Sequence, residues 1–184
     1  PFFLLKLSVL RFIWHQKLKT LKLKSVLFYD DRSNIYSLLL LSICNKLSIL
    51  TYVVSFGHTA TRETLLKKIF NDPRHIVQTS VINRPLYSKH SLLVEQGKNY
   101  SYYSRFMIEV FKYFPIHSQN PWVIGGGYID KVCVDGGQKS RRLVSAGCNI
   151  SKIIETGIPQ HDLLYASLAN SVTIKTHLIS ELHI

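Results

Sequence analysis

Apolar and polar positions are most ordered between Lys131 and Asp162 (KVCVDGGQKSRRLVSAGCNISKIIETGIPQHD). Lys131 to Asp135 is a short apolar run, and Gly136 and Gly137 break it and open a helix. The pattern puts Leu143, Val144 and Ala146 on the apolar side of that helix and Lys139, Arg141 and Arg142 in solvent. Gly147 stands where a left-handed closing residue is wanted. After a short turn, Lys152 to Thr156 reads as a second strand that stops at Gly157 and Pro159. Two strands joined by one helix form a right-handed crossover, the unit of parallel sheets covered on both faces. The predicted class is therefore α/β, a Rossmann-like parallel sheet with helices on both faces.

The first half of the chain repeats this rhythm. Residues 1–22 read as a basic helix and Ser25 to Tyr29 as a strand ending at Asp30, Asp31 and Arg32. Ser33 or Asn34 caps a helix through Cys44 whose apolar face is Ile35, Leu38, Leu39, Leu41 and Ile43. Leu50 to Phe56 is a second strand, stopped by Gly57 ahead of a helix from Thr61 to Phe70. Between Asn71 and Ser104 the pattern dissolves, and only a strand from His75 to Val81 stands out. A helix from Tyr103 to Phe114 ends at Pro115. Trp122 to Ile124 reads as a short buried strand and Gly125 to Gly127 as a flexible join. The layout gives one Rossmann-like domain over 1–162. Residues 163–184, a helix and then Val172 to Ile174, begin a hinge.

Composition narrows the partners. Lys plus Arg number 23 against 11 Asp plus Glu, a formal net charge of +12, which attracts nucleic acid, anionic lipid or phosphorylated sugars alike. Much of the excess sits at Lys6, Arg11, Lys17, Lys19, Lys22 and Lys24 among Phe2, Leu5, Leu7, Phe12 and Trp14. That mixture suits either a helix lying on acidic lipid or a surface helix packed on its own domain. No segment reads as a membrane span, because charges interrupt each apolar run. Cys44, Cys133 and Cys148 are odd in number and widely spaced, which points to reduced intracellular thiols and away from a zinc site or disulfide framework. With Pro1 in first place, a single Met and no second nucleotide-binding half, the sequence is expected to be a piece of a longer protein.

Strand, basic helix, the Ala146-Gly147 helix end, Lys152-Ile153 and then Thr156 to Asp162 (TGIPQHD) together resemble the segment closing the N-terminal domain of GT-B glycosyltransferases. The similar subgroup builds bacterial surface polysaccharides and includes Kdo-transferase-like, polysialyltransferase-like and CDP-glycerol phosphotransferase-like enzymes. Nucleotide-sugar 2-epimerases share the layout. The resemblance implies an acceptor-side domain in the cytoplasm, peripheral at the inner face of the cell membrane. It also implies a nucleotide-activated donor as substrate, a glycan or lipid-linked acceptor, and no metal or cofactor.

Ligands of such sheets gather at the carboxyl ends of the strands. The loop after the second strand carries Gly57, His58, Thr59 and, at the helix start, Arg62. The resemblance places a histidine here facing the interdomain cleft, so His58 is the candidate base for an acceptor hydroxyl. Thr59 and Arg62 are candidates for an anion at the helix N-terminus. Asp31 and Arg32 follow the first strand as candidates for a sugar hydroxyl or phosphate, with helix capping by Asp31 or Ser33 as the structural alternative. Gly157 and Asp162 close the last strand and shape the cleft. Gly125-Gly126-Gly127 lacks the lysine and spacing of a phosphate loop. The epimerase alternative needs cleft carboxylates, supplied only by Asp30, Asp31 and Asp162. The nucleic-acid alternative would stack bases on Tyr100, Tyr102 and Tyr103, but the charge follows no recognisable binding motif.

Overall fold

Three parallel pairings build the main sheet of the computed structural model, which describes residues 2–54, 62–70, 72–77, 92–95 and 97–157. The elements are α1 (Phe2–Leu21), β1 (Ser25–Phe28), α2 (Ile35–Lys46), β2 (Leu50–Val54), α3 (Arg62–Phe70), β3 (Ile76–Val77), β4 (Leu92–Glu95), β5 (Lys98–Ser101), α4 (Arg105–Phe111), β6 (Lys131–Val134), α5 (Gly137–Ser145) and β7 (Ile153–Glu155). The parallel sheet runs β1-β2-β6-β7, and the predicted α/β, Rossmann-like class is the one the chain adopts.

Register places Phe28, Val53 and Val132 side by side on one face, and all three are buried. On the same face Thr51 is fully buried, which its hydroxyl tolerates because it is paired. Asp130 Oδ2 accepts from Thr51 N–H at 2.8 Å and from Thr51 Oγ1 at 2.6 Å, fastening the entry of β6 to β2. Helix α2 buries Leu38, Leu39, Leu41, Ile43 and Cys44, more than one stripe, because α1 packs against it as well. Gly147, at φ 102, closes α5 in the left-handed conformation expected of it.

Four sequence expectations need correcting. The dissolved region holds a second sheet, β3-β5-β4, antiparallel, in which β4 and β5 form a hairpin turned by Gly97 at φ 70. Helix α4 is shorter than predicted: Ser104 caps it, leaving Tyr103 outside to pack edge-on against Phe111. Trp122 and Val123 are buried, but in a turn and not a strand. In α5 only Leu143 of the three expected apolar residues is buried. Val144 and Ala146 face solvent, and Lys139 is buried because Asp135, one turn earlier, supplies a counter-charge at 3.6 Å.

The predicted boundary at 162 and the hinge at 163–184 lie outside the described residues. Among the described residues no helix is long and apolar enough to cross a membrane.

Candidate functional site

The turn that carries the chain from β1 into α2 is organised by Asp30. Its carboxylate accepts from the backbone N–H of Arg32 (3.3 Å), Ser33 (2.9 Å) and Asn34 (3.2 Å) and from the Ser33 hydroxyl. Asn34 caps α2, its Oδ1 accepting from Tyr36 N–H at 2.9 Å and Ser37 N–H at 3.3 Å. Neither Asp31 nor Ser33 does the capping. Asp31 is thereby released for another contact, and its side chain is fully buried.

Asp31 Oδ2 accepts a 2.9 Å hydrogen bond from Gly125 N–H, while Oδ1 has no hydrogen-bond partner. Arg32 Nε is likewise buried without a hydrogen bond, 3.9 Å from Asp31 Oδ1 and 3.8 Å from Asp30 Oδ1. Burial pushes the Asp31 carboxyl up from 3.8 to about 6, against the pull of the Gly125 N–H and the Arg32 cation. Burial also raises the Tyr102 phenol, which lies close to Arg32, Asp30 and Ser33. The ring of Tyr102 is locked edge-on against Tyr103 and Trp122. The unspent oxygen is fully enclosed, so the Asp31–Arg32 pair is closed to a ligand as it stands, and a hydroxyl group reaches Oδ1 only where the turn between β1 and α2 opens.

The other predicted site residues distribute differently. Gly57, His58, Thr59 and Asp162 lie outside the described residues, as does the side chain of Arg62, whose backbone begins α3. Gly157, at φ 74, lies just beyond the end of β7 at Glu155. Since β1 and β7 are the two edges of the four-stranded sheet, roughly 14 Å separates them at about 4.8 Å per strand. The structure thus brings Asp31 and Arg32 together and leaves Gly157 apart.

The glycine triplet is not flexible. A Cβ on Gly125 would lie 2.6 Å from Val132 Cγ2, on Gly126 2.1 Å from the Asn120 carbonyl oxygen, and on Gly127 2.7 Å from Ser118 Oγ. Gly125 N–H serves Asp31 and Gly126 N–H serves the Val123 carbonyl, so these amides are spent. Beside the triplet lies an open cleft of about 550 Å³ lined by His117, Asn120, Asn149 and Lys152. It adjoins the segments entering β6 and β7, and Gly125, whose N–H holds Asp31, is among its lining residues. Its cation is engaged: Lys152 Nζ donates to the carbonyls of Gly125 (3.2 Å) and Gly127 (2.7 Å). Burial holds the His117 imidazole below its usual range, and its Nδ1 has no partner. No motif in the sequence flagged His117, and neither Tyr102 nor Lys152 was read there as part of this region.

Tyr100, Tyr102 and Tyr103 are all interior, so they offer no face to a nucleic-acid base. Cys44, Cys133 and Cys148 are free and buried, and burial raises all three thiols, Cys44 to about 11, which keeps them protonated and apolar in character. Among the described residues no three His, Cys, Asp or Glu side chains gather as metal ligands. The chain matches no family model, no curated protein and no solved structure.

Proposed function

We propose that this chain is the acceptor-side half of a GT-B-like transferase that moves a sugar or polyol phosphate from a nucleotide-activated donor onto a bacterial surface glycan or its lipid-linked precursor. The observation that carries this proposal is the buried Asp31 carboxylate, half satisfied, beside Arg32 at the carboxyl end of the first parallel strand. In this reading the turn between β1 and α2 opens to let a glycan hydroxyl reach that enclosed oxygen, at the strand end where parallel sheets hold their ligands. Asp31 and Arg32 orient the acceptor, and His58, which follows β2 in the sequence, takes the proton from the attacking hydroxyl. The donor nucleotide sits in a second α/β half, and the protein works in the cytoplasm at the inner face of the membrane.

The epimerase alternative keeps one point in its favour, since a carboxyl at about 6 is suited to removing a carbon-bound proton. The two separate by reaction. With the whole protein, donor half included, and CMP-, CDP- and UDP-activated donors, a transferase releases free nucleotide only when acceptor is present. His58→Ala is expected to lower that release about a hundredfold. Rearrangement of the donor sugar without any acceptor, or full turnover in His58→Ala, would count against the proposed roles.

A further inference from the structure

Helix α1 has two apolar faces. One is buried: Leu7 and Leu18 are in the core, with Phe3, Leu4, Leu10 and Trp14 packed against it. The other is bare, with Phe2 82 %, Leu5 61 %, Val9 49 %, Phe12 67 % and Ile13 40 % exposed. At 3.6 residues per turn these five fall within about 100° of the helix circumference, on the side away from Leu7 and Leu18. The same geometry sets Lys6 and Lys17 along one flank and Lys19 along the other, all exposed, with Lys22 and Lys24 exposed just beyond the helix. No acidic residue lies between Phe2 and Tyr29. The ring of Phe106 packs on Phe3 at 5.0 Å, on the buried side of the helix.

We infer that α1 is the element by which this protein docks on an anionic bilayer, its axis in the plane of the interface, with Phe2, Leu5, Val9 and Phe12 among the acyl chains and the lysines at the headgroups. An apolar stripe between two basic margins is the arrangement such surfaces take up. A second copy of the chain fits it poorly, since face-to-face pairing would bring the lysine flanks together with no carboxylate on the helix to offset them. Nucleic acid would use the lysines but gain nothing from Leu5, Val9 and Ile13. The inference concerns only the membrane part of the function proposed above and needs neither the transfer chemistry nor His58.

Vesicle flotation of the full chain tests it, using phosphatidylcholine alone and phosphatidylcholine with about a third phosphatidylglycerol. The chain is expected to float with the anionic vesicles only. Lys17→Gln and Lys19→Gln should each weaken partitioning about fivefold, and Leu5→Ser with Phe12→Ser should weaken it at least about tenfold. Since these side chains are exposed, thermal unfolding should be unchanged, which separates lost docking from lost folding. Three results would overturn the inference. They are equal flotation on neutral and anionic vesicles, undiminished flotation of the Leu5 and Phe12 double variant, and no flotation alongside self-association that this variant abolishes. None of them bears on acceptor binding, so the transferase proposal stands or falls separately.

Discussion

Replacing Gly126 by alanine is expected to destabilise the protein by about 3 kcal/mol or more. The new methyl would sit 2.1 Å from the Asn120 carbonyl oxygen, 2.9 Å from Asn120 Cβ and 3.0 Å from Val123 Cγ1. The nearest of these is backbone, which cannot swing aside as a side-chain tip can. The shift that relieves the clash also strains the 2.9 Å hydrogen bond from Asn120 N–H to the Gly126 carbonyl, and it moves Gly125, whose N–H holds Asp31. Gly136→Ala is the internal control. Nothing lies within 4 Å of its added Cβ and its backbone is extended, so its effect should be within about 0.5 kcal/mol. Urea unfolding of the two variants reads the contrast. Equal stability would mean that the triplet is the loose join its sequence suggests.

Asp31→Asn is expected to stabilise the protein at neutral pH. The folded state raises the Asp31 carboxyl from 3.8 to about 6, so it holds this proton more tightly than the unfolded chain does. That contribution is complete below about pH 4 and is lost as pH rises through about 6. It amounts to about 3 kcal/mol between those limits. An asparagine keeps an oxygen for Gly125 N–H and carries no charge to desolvate. The variant should therefore match the wild type near pH 4 and exceed it by about 2 kcal/mol at pH 7, as read by unfolding midpoints across that range. A variant less stable than wild type at pH 7 would show instead that the pairing of Asp31 with Arg32 outweighs burial.

The parallel strands were legible because each is a short apolar run stopped by glycine or by acidic residues, as in Lys131 to Gly137. That the helix is capped just ahead of Ile35 was legible, but the sequence left Asp31, Ser33 and Asn34 as candidates and the structure assigns Asn34. The β4-β5 hairpin was not, because Lys98 and Asn99 interrupt its alternation and only Gly97 marks the turn. The burial of Lys139 depends on Asp135 at helical spacing, a pattern that also describes ordinary surface pairs. The environment of Asp31 could not be read locally at all: its partner, Gly125, is 94 positions away. Proximity of that kind is set by packing, and a lone chain pattern carries no trace of it. The glycine triplet misled for the same reason, since its close neighbours Asn120 and Ser118 constrain it through space.

Amide correlation spectra of the full chain, titrated with an oligosaccharide of the Kdo core, with oligosialic acid and with a glycerol phosphate oligomer, test most directly whether the β1 edge binds a glycan acceptor. With the acceptor it serves, the amides of Asp31 to Asn34 and of Gly125 should shift together, and Asp31→Asn should abolish the shifts while leaving the fold intact. No response to any of the three, accompanied by tight binding of single-stranded DNA that collapses steeply with salt, would contradict the transferase proposal.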